Sequence, residues 1–145
     1  MSRKQLQWDS KEVMEFLEKE FPQAFTNEQK YKILTLEKDQ LVISMVAGEN
    51  QLRPGGTVSG PAQMELADFA VYFLLLAHHG DAAKLSVTTN LTCSFLRKPK
   101  SGPITCHVQL IKHGRTLAVA DVQIRSQQDD ILSHLELTYY VGNVD

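Results

Sequence analysis

Polar and apolar positions along the 145-residue chain follow two different periods. Near the N-terminus, Val13, Phe16 and Leu17 share one helical face. Asp9 precedes Glu12 by three residues, the spacing of a capping box, and Trp8 and Val13 stand where a hydrophobic staple would close it. Pro22 keeps this helix short. From Gly60 to His79 the chain is apolar almost all round, with Met64, Leu66, Phe69, Val71 and the run Phe73-Leu74-Leu75-Leu76. A surface helix would show one polar face, so this second helix must be enclosed by other structure. Pro61 suits its first turn, and Gly80 suits the position just past its end. His78 and His79 then lie near the negative end of the dipole. As neighbours on a helix they diverge by about 100°, which disfavours a metal pair.

Elsewhere the period is two. Tyr31 to Leu36 and Leu41 to Ala47 read as strands joined at Glu37-Lys38-Asp39-Gln40. In the next strand Leu85, Val87, Thr89, Leu91, Cys93 and Phe95 form the series that alternates with Ser86, Thr88, Asn90, Thr92 and Ser94. Apolar series follow at Ile104 to Leu110, Ala118 to Ile124 and Ile131 to Val141, separated by the turns 98–103, His113-Gly114 and 127–130. These strands reach about ten residues, twice the usual length. One enclosed helix beside long strands predicts an α+β fold: a long central helix wrapped by a curved antiparallel sheet of five to six strands, with an N-terminal helix outside. The length suits one domain, 1–145.

Composition narrows the function classes. A net charge of -2 and a pI near 6.2 give no overall attraction for nucleic acid or an anionic membrane. The most apolar stretch, Phe69 to Ala77, is far short of the roughly 20 residues that span a bilayer. Residues 1–5 lead into no apolar run, so no secretory signal is expected. The two cysteines, Cys93 and Cys106, have neither metal nor disulfide spacing and read as free thiols of a reducing compartment. The cytoplasm is the expected location.

Two features carry candidate chemistry. Glu65 and Asp68 interrupt the apolar helix at i, i+3 spacing. A carboxylate there costs energy unless it is paired, hydrogen-bonded or reached by water, and such groups are often functional. The structural alternative is a carboxylate that caps backbone or pairs Arg53 or Arg115. The second feature is Gly55-Gly56-Thr57-Val58-Ser59-Gly60-Pro61, leading into the helix. Free N–H groups at a helix start can hold an anion or polarise a carbonyl; an ordinary glycine-rich loop is the plainer alternative. Together an N–H cluster and an acid make a hydrolytic layout, in which the acid activates water or attacks directly. No Ser-His-Asp or Cys-His signature competes, and the five histidines show no ligand spacing, so no metal is expected.

With these residues in view, the chain resembles a family. The helix start, the acid, the run Phe95-Leu96-Arg97-Lys98-Pro99-Lys100-Ser101-Gly102, the segment Gly114-Arg115-Thr116-Leu117-Ala118 and the closing strand to Tyr139-Tyr140 are similar to hotdog-fold acyl-CoA thioesterases of the phenylacetate-pathway (PaaI-like) type. The likeness runs from about Val42 to Val141. That family usually starts its helix with His-Gly-Gly and carries an acid nine positions after the histidine. Here the triplet is Ser59-Gly60-Pro61, and Asp68 falls at the acid. The resemblance implies Asp68 as the catalytic carboxylate and Gly60 as the amide that polarises the thioester carbonyl. Ser59 replaces the histidine, Pro61 the second glycine, and Arg53 an asparagine six residues before the histidine. Ser86 or Asn90 would orient water, and Glu65 stands as a secondary candidate. Further implications are a homodimer or homotetramer whose sites draw on both chains, and coenzyme A held near Arg97, Lys98 and Lys100, a basic turn that otherwise reads as merely solvated. The leading expectation is thioester hydrolysis, with coenzyme A as part of the substrate and no resident cofactor. The alternatives are a non-catalytic acyl-CoA-binding module, or a hotdog dehydratase, against which stands the missing histidine.

Overall fold

A computed structural model describes residues 6–24 and 30–142; residues 1–5, to which the expectation of no secretory signal refers, lie outside this range. Helix α1 covers Ser10–Glu20 and starts with the complete capping box: Glu12 N–H donates to Asp9 Oδ1 at 2.9 Å, and Asp9 N–H to Glu12 Oε1 at 3.0 Å. Val13 and Leu17 are fully buried, and the Trp8 and Phe16 rings lie 5.1 Å apart. Helix α2 covers Gly60–His79, with Ser59 as its N-cap and Gly80 at its end in positive φ, where its N–H returns to the Leu76 carbonyl. The amides of Gln7 and Trp8 both donate to Ala77 O, tying the start of α1 to the end of α2.

Among the described residues, eight strands accompany the helices: β1 (Lys30–Glu37), β2 (Gln40–Val46), β3 (Leu52–Arg53), β4 (Thr57–Val58), β5 (Val87–Phe95), β6 (Ile104–His113), β7 (Leu117–Arg125) and β8 (Ile131–Tyr140). Six form one antiparallel sheet in the order β1-β2-β6-β7-β8-β5, and β3 and β4 make a small separate hairpin. The inward residues Leu41, Ile43, Cys106, Ala120, Val122, Leu135 and Leu137 are fully buried, as are Leu66 and Phe73 through Ala77 on α2. Burying each large side chain stabilises the fold by about 1.5–3 kcal/mol, so most of α2 is enclosed and only a stripe through Pro61, Glu65, Asp68 and Tyr72 stays partly open. This helix in a long antiparallel sheet is the hotdog arrangement. No helix among the described residues is long and apolar enough to cross a membrane.

One strand departs from the alternation expected of it. The pairing of β5 with β8 shifts between Thr88 and Asn90, so a bulge resets which side chains face α2. Thr88 points to the helix before the bulge, whereas Leu91 and Cys93 pack on the core after it. Leu85 and Val87 are 83% and 54% exposed and are not core residues. β5 is also a sheet edge, with its far side unpaired among the described residues.

Candidate active site

Asp68 sits half-buried in the third turn of α2, on the side that faces β5 and β8. Thr88 Oγ1 donates to its Oδ1 at 2.5 Å, and Tyr139 Oη donates to the same oxygen at 2.8 Å. The Tyr139 hydroxyl also lies 3.0 Å from the Asp68 carbonyl. Two hydroxyl donors on one oxygen fix the orientation of the carboxylate. Burial, with the Asp68 charge beside it, pushes the Tyr139 phenol well above its ordinary value, so it remains a donor. Thr88 and Tyr139 are the groups that sequence reasoning missed. Thr88 was hidden by the bulge, and Tyr139 by being one more inward residue of an apolar series.

Two clefts meet at Asp68. The first, of about 600 Å³, runs past Phe69, Tyr72 and Tyr31 to the end of α1 and includes Ser86 and Val87. Tyr31 stacks on Phe69 with centroids 4.6 Å apart, and burial followed by the Glu65 charge raises the Tyr31 phenol. The second, of about 680 Å³, runs along α2 toward Ser59, Pro61 and Gln51. Glu65 is exposed and lines both. Ser86 lines the first, and its buried Oγ has no hydrogen-bond partner among the described residues. Asn90 is exposed and lines neither.

Gly60 faces a third recess, of about 440 Å³, together with Arg53, Gln63, Phe95, Arg97 and Lys98. A β-carbon at Gly60 would meet the Phe95 ring, with Cζ at 3.0 Å, so the absence of a side chain permits this close packing. In the first turn of α2, Ala62 N–H donates to Ser59 Oγ and Gln63 N–H to Ser59 O, both at 3.1 Å, and Pro61 has no N–H. The Gly60 amide is therefore the first-turn donor left without an acceptor among the described residues. No acid occupies that first turn. Arg97 donates to the Ile131 carbonyl at 3.1 Å, and Lys100 is exposed and does not line the recess. Gln63, 2% exposed with its Oε1 unpartnered among the described residues, is a further polar group there.

Gly60 and Asp68 lie eight residues apart on one helix, about 12 Å along its axis, and they line different recesses. One chain cannot aim both at a single carbonyl. The far end of α2 holds His78, His79 and His113, with 2.7 Å between the Nε2 atoms of His79 and His113, and His78 against the Lys38 carbonyl. The described residues contain no His/Cys/Asp/Glu group arranged to hold a metal.

The sequence pattern of the thioesterase superfamily matches residues 55–133. A candidate thioesterase of Silicibacter sp. TM1040, known from its crystal structure, is 40% identical to this chain, with a TM-score of 0.81 and coverage of 93% of this chain and 92% of that one. A hypothetical thioesterase of Streptococcus pneumoniae TIGR4, crystallised with coenzyme A, is 20% identical at a TM-score of 0.76, covering 90% and 98%. The PaaI protein of Escherichia coli, from the phenylacetic acid degradation operon, is 21% identical at a TM-score of 0.68, covering 79% and 81%. At these last two identities the likeness is one of fold.

Proposed function

The chain belongs to the thioesterase superfamily, and from that premise we propose that it hydrolyses an acyl-coenzyme A to the free acid and coenzyme A. The observation that carries this reading is Asp68, a carboxylate within a buried helix, held by Thr88 and Tyr139 where two clefts meet. With Oδ1 engaged by both donors, Oδ2 is the oxygen to act as base or nucleophile. As base it takes a proton from water, whose oxygen attacks the thioester carbon. The carbonyl oxygen gains the charge, and its collapse breaks the C–S bond and releases the thiolate, which is then protonated. The Gly60 amide, at the positive end of α2, supplies the donor for that charged oxygen. Direct attack by Asp68 would give an anhydride that water then opens. Ser86, which lines the same cleft as Asp68, would help to orient the water.

The 12 Å problem has a symmetric answer. Thr88 sits near the start of β5 and binds Asp68, whereas Phe95 ends β5 and covers Gly60. If two copies pair antiparallel along this open edge, the Thr88 end of one strand meets the Phe95 end of the other. Asp68 of each chain then approaches Gly60 of its partner. A homodimer, or a dimer of dimers, would thus build two sites from shared parts and close the exposed edge. The recess with Arg53, Arg97 and Lys98 beside Gly60 would hold the coenzyme A phosphates. A 16 kDa particle in light scattering at micromolar concentration would count against this assembly.

The deciding measurement is steady-state release of free thiol from a panel of acyl-coenzyme A esters. Hydrolysis of at least one ester by the unmodified chain is expected. Tight binding of esters with no thiol release would favour a non-catalytic binding module. Dehydratase activity has no support from the site, because no histidine lines either cleft at Asp68.

A further inference from the structure

The cleft of about 600 Å³ does not end where the family match ends. Along with Asp68, it is lined by Glu20 and Phe21, at the close of α1, and by Tyr31. Glu20, Phe21 and Tyr31 all lie outside residues 55–133. Phe21 meets the Tyr72 ring edge-on, with centroids 6.3 Å apart and planes at 82°. Tyr72 donates its hydroxyl to the Lys84 carbonyl at 2.7 Å, so its polar atom already has a partner and its ring serves as apolar wall. An ion pair of 3.0 Å between Glu20 and Lys84 fastens the end of α1 to the segment that leads into β5. Asp68 and Tyr72 are one turn apart on α2, about 6 Å along the axis. The cleft thus combines the rings of Phe21, Tyr31, Phe69 and Tyr72 with the acid Asp68, and the residues at the close of α1 form part of its lining.

We propose that the acyl group of the substrate lies in this cleft and that Phe21, seated against Tyr72, sets the longest chain it accepts. The inference rests on the acyl-coenzyme A reading above. It assigns selectivity to α1, while the hydrolytic groups sit on α2, β5 and β8.

The test separates binding from turnover. Coenzyme A and straight-chain esters from acetyl to palmitoyl are titrated calorimetrically into the full-length Asp68→Asn chain, alone and combined with Phe21→Ala or Phe21→Trp. Affinity should rise roughly fourfold for each methylene buried until the chain meets the wall, and then level or fall. Phe21→Ala should move that break to longer chains, and Phe21→Trp to shorter ones. A general loosening of α1 cannot produce two opposite shifts. A break that stays in place in both variants would overturn the inference, as would esters that bind no tighter than coenzyme A itself. Because binding is read on a chain without the acid, failure of the unmodified protein to hydrolyse any ester would refute the catalytic reading alone.

Discussion

The two helices of this protein start differently. α1 opens with a reciprocal capping box, in which Asp9 and Glu12 satisfy each other's amides and bring two negative charges to the positive end of the dipole. α2 opens with Ser59, whose hydroxyl takes only the Ala62 amide, and with a proline that has no amide to offer. No acid lies in its first turn, and the Ser59 N–H goes to the Gln51 carbonyl rather than to a side chain reaching back. The outer helix is capped to be stable. The central helix can omit that reinforcement, because its stability comes from a largely enclosed apolar surface. Its uncompensated start is then free for chemistry, and the first acid that matters stands two turns along, bound to Thr88 and Tyr139.

The most severe way to break this contrast is to neutralise that acid. Asp68→Asn keeps the size of the side chain and its capacity to accept from both hydroxyls. Turnover should fall by about 10² to 10⁴, the range for an acid–base group, while thermal stability holds or rises because a half-buried charge has gone. If activity per folded molecule is kept and the melting temperature drops, Asp68 is a structural carboxylate and the assignment fails.

Removing the donor at the helix start should be nearly as costly. Gly60→Pro deletes one amide, and Ser59, with φ -71 and ψ 159, already has the backbone that a following proline demands; the added carbons also crowd Phe95 and Pro61, a cost that Gly60→Ala shares. Turnover should fall by about 10² to 10³, the loss of one oxyanion donor. Gly60→Ala is the control: it places a carbon against Phe95 but retains the N–H, and should lose much less. Co-expression of Gly60→Pro with Asp68→Asn sharpens the result. If sites are shared, each mixed dimer has one doubly damaged site and one intact site, so activity should return to about a quarter of the unmodified level. Failure to complement, with mixed dimers formed, would count against sites shared between chains.

How much of this was written in the sequence depends on whether the signal was local. The bounds of α2 were legible because Ser59, Pro61 and Gly80 punctuate a helix that is apolar almost all round. The capping box of α1 needed only four consecutive residues. Asp68 was conspicuous as an acid among apolar neighbours, which is also a local anomaly. Its partners were not legible. Thr88 reaches it only because a bulge in β5 resets the alternation, and the bulge arises from pairing with β8 about fifty residues later. Tyr139 was rightly counted as an inward residue, at 3% exposure, but its hydroxyl acquires meaning from a helix 71 residues earlier. The gathering of His78, His79 and His113 likewise crosses from α2 to β6 and leaves no spacing to find. Sharing of the site between chains entered through family resemblance alone; the separation along α2 supplies a physical reason for it.

The subtlest test exchanges the two helix starts. Ser59→Asp gives α2 a cap like that of α1, since aspartate and serine cap about equally well by hydrogen bonding, and it adds a negative charge beside the positive end. Helix–charge interaction should then stabilise the fold by about 0.3–1 kcal/mol. The same charge opposes the negative oxygen that develops at the Gly60 amide, so hydrolysis should slow by roughly fivefold, the rate equivalent of about 1 kcal/mol. Stability and activity thus move in opposite directions from one substitution, which loss of folding cannot imitate. The reciprocal change, Asp9→Ser, weakens the α1 cap. It should cost stability of a similar size or less and leave kcat/KM alone, because Asp9 lines none of the recesses around Asp68 and Gly60. Thermal melts and thiol-release kinetics on the two variants read both quantities. If Ser59→Asp hydrolyses esters at the unmodified rate in a normally folded protein, the start of α2 is not where the oxyanion is held, and the contrast between the two helices is one of packing alone.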